Sequence, residues 1–417
     1  MKKVILCLST FTFFNSLQSQ TIDVLFVGSS YTYFNNMPQM LADIATSKAD
    51  TVYFETNEQS GTNFEFFTTD AVVFEKINSR PWDYVVLQEL GILPALDTSS
   101  VQQNVYPFAT KLDSLILANN SCTETVFFMT WGKQNGDSSY CDNYPPVCTY
   151  AGMQQRLRES YLEMAETNHA TTSPVGEVWK NVRTLYPSIN LYSSDQSRPS
   201  LQGSYLAACT FYTTLFHKSV EGASHPIDIS SEDALALQTV ANSTVLDSLF
   251  LWQGNGDIAN PDFDFEINDN EVQFTNLSFN SSDYLWSFGD GSTSSEINPL
   301  HIYANYGSYN VTLTASNSCS SFKIKNSFLL GSSSIADNSG DLKFQVFPNP
   351  NNGNFTISTD LKNEFTLEIF DFTGQKVFSK KNLPTSNSIE IKNLSKGLYQ
   401  LLLQSNNEFF IKKVVVH

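Results

Sequence analysis

Between residues 21 and 254, short apolar segments alternate with helix-length segments, and this alternation constrains the fold of the chain strongly. The short segments are rich in Val, Phe and Tyr and lie at residues 22–28, 51–56, 83–88 and 125–131; the longer ones lie at 36–49, 62–78, 98–119, 150–168 and 201–220. Strands that alternate with helices form a parallel sheet with helices on both faces. We therefore predict a three-layer α/β, flavodoxin-like fold with its functional residues at the carboxyl ends of the strands.

Two further modules follow the α/β region. From about residue 261 to residue 330, apolar and polar residues alternate with period two between turns, which predicts a small all-β sandwich. Residues 331–341 are rich in Ser and Gly and predict a linker, and residues 342–417 predict a second small all-β module. The chain is thus divided into residues 1–20, 21–254, 255–330, 331–341 and 342–417.

The amino terminus has the order of a secretory signal peptide. Lys2 and Lys3 precede an apolar run at residues 4–14, and polar residues follow it, with cleavage expected near residues 19–21. The run is too short to span a bilayer, and no later run is long enough. We therefore predict export and no transmembrane segment.

The chain is acidic, and its charge is unevenly spread. The formal net charge is −18, from 24 basic and 42 acidic residues. Residues 342–417 differ, because they hold 9 Lys and 6 acidic residues. An acidic body repels phosphate backbones, so we expect no nucleic-acid partner. The basic tail indicates a separately evolved module.

Five cysteines follow the leader, and export permits disulfides. Cys141 and Cys148 bracket a short loop that a disulfide could hold. Because the count is odd, at least one thiol is free or pairs with another molecule. Cys209 lies in an apolar helical pattern, so we expect it to be buried.

A glycine and two serines, Gly28-Ser29-Ser30, follow the first apolar segment. A sharp turn from strand to helix raises a serine hydroxyl above the sheet edge, where N–H groups of the first helical turn can hold an oxyanion. Serine and glycine are also ordinary helix caps. The motif alone leaves two interpretations open, a nucleophile at Ser30 and an N-cap after a buried strand.

The α/β region resembles the SGNH, or GDSL-like, hydrolase superfamily of secreted esterases. Gly28-Ser29-Ser30 corresponds to the first block of the family, Gly61 to the second and Gln88 to the third. The resemblance implies that Ser30 is the catalytic nucleophile. It also implies an oxyanion hole formed by Ser30 N–H, Gly61 N–H and the Gln88 side-chain amide. The alternative is that Gly61 is an ordinary turn glycine and that Gln88 only forms hydrogen bonds with backbone groups of a loop.

The last block of the family is Asp-x-x-His, and here Asp195 is followed three residues later by Arg198. Both are candidate catalytic residues by position, although Asp195 could be a helix cap. An arginine stays protonated at physiological pH and cannot accept the serine proton; it can pair with Asp195 or bind a carboxylate. This departure leaves open whether the chain hydrolyses esters.

Four histidines are candidates to replace the missing base. His169 ends a predicted helix, and His301 belongs to the first β-module. His217 and His225 flank the end of the helix that follows Arg198, which places them several turns from the Asp195 loop. We expect neither to be a good substitute, although His225 could fold back.

The segment at residues 126–153 also lies beyond a strand end. We expect Trp131, Lys133 and Asn135 to line a sugar-binding cleft, because aromatic faces and side-chain amides suit hydroxyl-rich ligands. The alternative is a disulfide-held surface loop without function. The sequence has no zinc spacing, phosphate-binding loop or dinucleotide fingerprint, so we expect neither a metal nor a cofactor.

The two C-terminal modules also resemble known families. Residues 286–291 and 301–313 follow the two most specific stretches of the PKD domain, a non-catalytic spacer or interaction module. Residues 347–350, 371–375 and 396–399 follow the type A C-terminal sorting domain of type IX secretion cargo. The second resemblance implies recognition by the type IX secretion machinery at the outer membrane of a Gram-negative bacterium, followed by removal of the tail.

These observations lead to two hypotheses. The first is a secreted serine esterase that deacylates extracellular glycans or related esters. The second is a catalytically impaired surface protein that binds glycans. In both cases the tail is dispensable for chemistry, and we expect the mature form to lack residues from about 335–345 onward, because a linker of this composition cannot protect itself by burial.

Overall fold

The computed structural model describes residues 19–330, 344–348, 351–359, 364–371, 376–383, 388–405 and 408–416. The predicted linker and all but the end of the predicted leader lie outside them. The chain divides into two compact units, Met1–Ile258 with Ser318–Ser320, and Ala259–Asn317 with Ser321–His417.

A five-stranded parallel sheet forms the centre of the first unit. Its strands are β1 (Thr21–Gly28), β2 (Thr51–Glu58), β3 (Tyr84–Leu87), β4 (Glu124–Phe128) and β5 (Thr171–Ser173), in the order β2-β1-β3-β4-β5. Strand β2 pairs with one edge of β1, and β3 pairs with the opposite edge of β1. The carboxyl ends of β1 and β3 therefore flank the point where the strand order reverses, which is where ligands bind in such sheets.

The helices of this unit lie mainly between the strands and after β5. They are α1 (Ser30–Tyr33), α2 (Met37–Ser47), α3 (Phe64–Phe67), α4 (Ala71–Asn78), α5 (Thr98–Asn104), α6 (Tyr106–Asn119), α7 (Tyr150–Asn168), α8 (Val175–Leu185), α9 (Leu201–Phe216), α10 (Ser231–Leu246) and α11 (Leu249–Gln253), with short 3₁₀ turns at Phe34–Asn36, Leu93–Ala95 and Pro145–Cys148.

Both faces of the sheet are covered by helices. Successive side chains of β1 point to opposite faces. Leu25 belongs to the core cluster that includes Phe64 of α3 and Phe127 of β4. Phe26 packs edge to face on Phe211 of α9, with ring centroids 5.6 Å apart. The predicted three-layer α/β fold is confirmed.

Two predicted helices are each divided in the structure. The segment at 62–78 breaks before Asp70, whose carboxylate caps α4 by accepting the N–H two residues later. The segment at 98–119 breaks at Val105, with φ −126° and ψ −60°, because Pro107 follows in the first turn of α6. Four elements, β5, α8, α10 and α11, have no predicted counterpart.

The described part of the second unit contains four antiparallel sheets. Their strands are β6 (Phe263–Asn268), β7 (Glu271–Asn276), β8 (Asp283–Ser287), β9 (Thr293–Ser294), β10 (Leu300–Ile302), β11 (Gly307–Ser316), β12 (Ser321–Leu330), β13 (Phe344–Phe347), β14 (Phe355–Thr359), β15 (Phe365–Asp371), β16 (Lys376–Leu383), β17 (Ser388–Ile391), β18 (Gly397–Ser405) and β19 (Glu408–Val416). The sheet orders are β10-β7-β6, β12-β11-β8-β9, β13-β14-β17 and β16-β15-β18-β19. Trp286 and Phe288 lie in the buried core of the first two sheets, and the predicted all-β character is confirmed.

Four of the five cysteines after the leader form two disulfides, Cys122–Cys319 and Cys141–Cys148. The second is the pair that the sequence predicts. Cys209 is the unpaired thiol and is buried in α9, as its apolar surroundings indicate. Among the residues that the structure describes, no helix is both long and apolar enough to cross a membrane.

Candidate functional site

Ser29 and Ser30 lie at the turn from β1 into α1, at the carboxyl edge of the sheet. Ser29 is the buried N-cap residue, and Ser30 begins the helix and is partly exposed. The turn needs glycine at position 28, because a Cβ there would lie 2.3 Å from Thr32 Oγ1. Among the described residues, no side chain forms a hydrogen bond with Ser30 Oγ. Ser30 is thus partly exposed, and none of the described residues is hydrogen-bonded to its hydroxyl as a base would be.

Gln88 follows β3 directly and is buried against the β1 turn. Its Oε1 accepts the N–H of Ser29 at 2.8 Å and the hydroxyl of Thr32 at 3.1 Å. Its Nε2 donates to Glu89 O at 2.5 Å and to Ser29 Oγ at 3.2 Å. Both N–H groups of the amide therefore have partners inside the protein. Gln88 joins β1 to β3, and an oxyanion role would require its amide to leave these partners.

Gly61 lies in the exposed turn between β2 and α3, with φ +74°, a backbone conformation that favours glycine. The turn begins next to the predicted site, because Gln59 N–H donates to Gly28 O at 3.4 Å. It ends at α3, whose first N–H, from Phe64, donates to the carboxylate of Glu89 at 3.1 Å. The Gly61 turn is thus attached at both ends to the carboxyl edges of β1 and β3.

Glu89 is a site residue that the sequence analysis did not single out. Its side chain is fully buried, and burial raises its pKa to about 8, against hydrogen bonds from the N–H groups of Leu90 and Phe64 that lower it. A charged residue type directly after an apolar strand was the available signal, since such a residue at a strand end has a structural or chemical role. Here the carboxyl group holds the start of α3 against the end of β3.

Asp195 and Arg198 form an ion pair on the loop before α9. Arg198 Nη1 lies 3.0 Å from Asp195 Oδ2, and both side chains are more than a third exposed. Asp195 Oδ1 accepts the hydroxyl of Ser193 at 2.7 Å and the N–H of Arg198 at 2.8 Å. Partial burial raises the pKa of Asp195, but the hydrogen bonds outweigh it and hold this pKa below its usual value. The pair closes the loop upon itself.

This loop is attached to the helix that carries Ser30. Tyr31 Oη lies 2.6 Å from Ser197 Oγ, and burial raises the pKa of Tyr31 to about 12, so its hydroxyl stays protonated. Asn35 donates from Nδ2 to Pro199 O at 3.3 Å and to Ser200 O at 3.0 Å. The structure therefore brings the predicted nucleophile and the predicted Asp195 block to one edge of the sheet.

Trp131 does not line a cleft, which corrects the expectation from the sequence. Its indole is fully buried between Tyr31 and Trp179, with ring centroids 4.7 Å and 3.9 Å away. Its Nε1 donates to Ser197 O at 3.0 Å. Trp131 therefore holds the Asp195 loop through this hydrogen bond. The sequence alone does not distinguish an aromatic residue that packs on other rings from one on which a sugar stacks.

Lys133 and Asn135 lie beside the same loop but already have partners. Lys133 pairs with the buried Asp137 at 2.6 Å. Asn135 Nδ2 donates to Gln196 Oε1 at 2.8 Å. Both side chains are at least partly exposed, so they lie at the edge of the site while their polar groups stabilise the loops. Their role in ligand binding remains a prediction.

The candidate replacement bases lie elsewhere. His217 is the partly buried C-cap of α9, and burial of its imidazole lowers its pKa to about 4. His225 Nδ1 lies 3.1 Å from the carbonyl oxygen of Pro226, and His169 is the C-cap of α7. His301 pairs with Asp290 in the second unit. None of these four imidazoles bonds to Ser30.

Family models match the two C-terminal modules. Residues 257–326 match the PKD domain, and residues 345–417 match the secretion system C-terminal sorting domain. Among curated proteins, collagenase ColA of Bacillus cereus is 57% identical over 35 residues, which are 8% of this chain and 4% of that protein. The match thus spans a small part of the collagenase.

Solved structures also resemble this chain. A DUF4886 family protein from Bacteroides uniformis is 18% identical, with a TM-score of 0.47 over 54% of this chain and 95% of that one. A candidate SGNH hydrolase from Slackia heliotrinireducens is 23% identical, with a TM-score of 0.39 over 47% of this chain and 99% of that one. By the two family matches alone, the chain carries a PKD domain and a secretion system C-terminal sorting domain after its α/β unit.

Proposed function

We propose that this is an exported surface protein whose α/β unit binds acylated or acidic extracellular glycans at the edge formed by Ser30, Asp195 and Arg198, with little or no ester turnover. The observation that carries the proposal is the Asp195–Arg198 ion pair at the position where a serine hydrolase of this type needs a base. The sorting domain supports export, because such domains are addresses for secretion.

The loss of catalytic rate that follows from a missing base favours binding over catalysis. Loss of the catalytic histidine in a serine hydrolase costs about 10⁶ in kcat. Ser30 Oγ has no hydrogen-bond partner among the described residues, and Arg198 cannot accept a proton. The guanidinium retains its charge and is partly exposed, so it can bind the carboxylate of a uronic acid or the carbonyl oxygen of an acyl group.

A serine esterase that deacylates such glycans is the second candidate. It is favoured by the partly exposed Ser30 hydroxyl at the start of α1, where β1 ends beside β3. In this case Ser30 Oγ would attack the acyl carbon while the Gly61 turn supplies an N–H to the oxyanion. The ester C–O bond would then break, solvent would carry the serine proton to the leaving glycan oxygen, and a water molecule would hydrolyse the acyl-serine to give a carboxylic acid and free Ser30.

An ester-hydrolysis assay separates the two candidates. The purified chain is incubated with 4-nitrophenyl acetate and with acetylated xylan, beside the variants Ser30→Ala and Arg198→His. We expect the parent to release product at the rate of Ser30→Ala, and Arg198→His to raise the rate because an imidazole then stands three residues after Asp195. Strong parental activity that Ser30→Ala abolishes would establish the esterase and reject the binding proposal.

Ligand binding is measured on the parent and on two further variants. Arg198→Ala should weaken retention on acetylated or uronate-containing polysaccharide, whereas Arg158→Ala, which alters an arginine outside the site, should not. Equal retention of the parent and Arg198→Ala would contradict the proposal.

A further inference from the structure

The backbone of Gln20 lies directly before β1 and is held on both sides. Its carbonyl oxygen accepts the N–H of Thr51 at 2.8 Å, and its own N–H donates to Asp50 Oδ1 at 2.8 Å. Ser19, one residue earlier, is exposed. Because leader cleavage is expected near residues 19–21, the nitrogen that Asp50 binds lies where the mature chain should begin.

Asp50 is a buried carboxylate that has two further partners. Its side chain is 1% exposed. Lys218 Nζ donates to the same Oδ1 at 2.7 Å, and Tyr212 Oη donates to Oδ2 at 2.8 Å. Since Lys218 already neutralises this carboxylate, a second cation on Oδ1 would leave an unbalanced positive charge in a site largely closed to water. The position of the Gln20 nitrogen therefore favours a neutral N–H over an α-ammonium group.

The side chain of Gln20 supports the same conclusion. Its Oε1 is buried and accepts no hydrogen bond from the residues that the structure describes. A buried carbonyl oxygen without a donor destabilises the folded state. A glutamine at the start of a chain can withdraw its side chain from such a position, because the side-chain amide can close on the α-amino group of the same residue.

We propose that the leader is cleaved between Ser19 and Gln20 and that Gln20 is then converted to pyroglutamate, whose lactam N–H donates to Asp50. The α-amino nitrogen attacks Cδ of the side-chain amide, and the bond between Cδ and Nε2 breaks. Nε2 leaves as ammonia and takes one proton from the α-amino group. The five-membered lactam keeps one N–H and carries no charge, and the reaction needs no oxidant or reductant.

The modification would protect β1, the strand that leads to Ser30. Chain termini are preferred sites of proteolysis. Aminopeptidases that require a free α-amino group cannot begin at a lactam, and the bond to Asp50 keeps the first residue on the sheet. The inference does not depend on whether the Ser30 edge binds or hydrolyses a ligand.

Mass spectrometry of the protein isolated from its native host tests the modification. The first lysine or arginine after the leader is Lys48, so trypsin should release an amino-terminal peptide of residues 20–48. Its mass should be lower than that of the linear peptide by one molecule of ammonia. A linear Gln20, or a mature chain that begins at any other residue, would reject the proposal.

Gln20→Asn is the matched control for the contact with Asp50. Its side chain keeps the amide but is one methylene too short to form a five-membered lactam, so its α-amino group stays free. An ordinary α-amino group has a pKa of about 8, so the variant carries an ammonium group beside Lys218 at pH 6 and mainly a neutral amine at pH 9.

The melting temperatures of the parent and of Gln20→Asn at these two pH values test where the lactam N–H lies. The variant should melt about 2–4 °C below the parent at pH 6, and the difference should narrow at pH 9, because a charge that folding disfavours is then lost. Glu89 and Glu124 are present in both proteins, so their titration cancels in the difference. A difference that is equal at both pH values, or larger at pH 9, would reject a neutral N–H on Asp50.

Discussion

Tyr31 Oη and Ser197 Oγ lie 2.6 Å apart, and this hydrogen bond joins the helix that begins with Ser30 to the loop that carries Arg198. The two residues are 166 positions apart in sequence. The bond is part-buried, and it places an otherwise exposed loop beside the predicted nucleophile. The relative position of Ser30 and Arg198 therefore depends on a tyrosine that has no chemical role of its own.

Tyr31→Phe should loosen the Asp195 loop without unfolding the α/β unit. Removal of one such hydrogen bond costs about 1 kcal/mol, which lowers the melting temperature by about 2–4 °C in a unit of this size. Hydrogen exchange should become faster at residues 193–198, and thermal denaturation measures the global effect. Tyr33→Phe is the control, because Tyr33 is partly exposed and forms no side-chain hydrogen bond with the residues described here. Equal exchange in the two variants would contradict this role for Tyr31.

Glu89 should make the protein less stable at high pH. Its pKa is about 8 in the folded chain and about 4.5 in the unfolded chain, so the folded state binds the extra proton between these values. This contribution is fully present below about pH 4.5 and is lost as the pH rises through about 8. Glu89→Gln should reduce the fall in melting temperature between these limits by on the order of 5 °C.

The control for this measurement is Glu75→Gln, an exposed residue of α4. Some pH dependence should persist in Glu89→Gln, because burial also raises the pKa of Glu124 to about 7. If Glu75→Gln and Glu89→Gln flatten the curve equally, Glu89 is not the titrating group.

His217 should make the protein less stable at low pH. Burial lowers its pKa from 6.5 to about 4, so the unfolded chain binds the proton more tightly. The contribution is present above about pH 6.5 and is lost as the pH falls through about 4. His217→Asn keeps a residue that tolerates the left-handed C-cap and removes the titrating group, so it should flatten the acid side of the stability curve.

His169→Asn is a closely matched control, because His169 is also a left-handed C-cap but is exposed. Melting temperatures between pH 4 and pH 7 should change their slope in His217→Asn and not in His169→Asn. The same slope in both variants would show that burial of His217 is not the cause.

Deletion of residues 342–417 should leave the protein in the periplasm, because the tail is the proposed address for the outer-membrane step. Fractionation of cells and medium measures this. A mature external form that lacks residues from about 335–345 onward, detected by mass spectrometry, would support processing in the linker. Full-length protein in the medium, or normal export of the truncated form, would contradict the prediction.

The sequence predicts the elements whose pattern is local. Strands β1 to β4 are apolar runs and are predicted from that pattern. The roles of Ser30, Gln88 and Asp195 rest on the family resemblance and stay predictions. Tertiary packing decides the rest. Tryptophan is a residue type on which sugar rings stack, yet Trp131 lies between two aromatic rings from distant segments. The place of Glu89 at a strand end signals a role, but its burial against the α3 N-terminus depends on the tertiary structure.

The partners of Gln88 could not be predicted for the same reason. An amide at a strand end can face a ligand or its own backbone, and the choice depends on how closely β1 and β3 approach. The short β5, of three residues, gives too little periodicity to be found in sequence.

The stack of Tyr31, Trp131 and Trp179 gives the protein an intrinsic optical probe. The indole N–H of Trp131 donates to the carbonyl oxygen of Ser197, on the same loop as Arg198. Any ligand that moves this loop changes the polarity around a buried indole, and therefore its emission wavelength and intensity. Ligand occupancy at the Arg198 edge can thus be followed by tryptophan fluorescence without a label. Loss of the ligand-induced change in the Trp131→Phe variant would assign the signal to this ring.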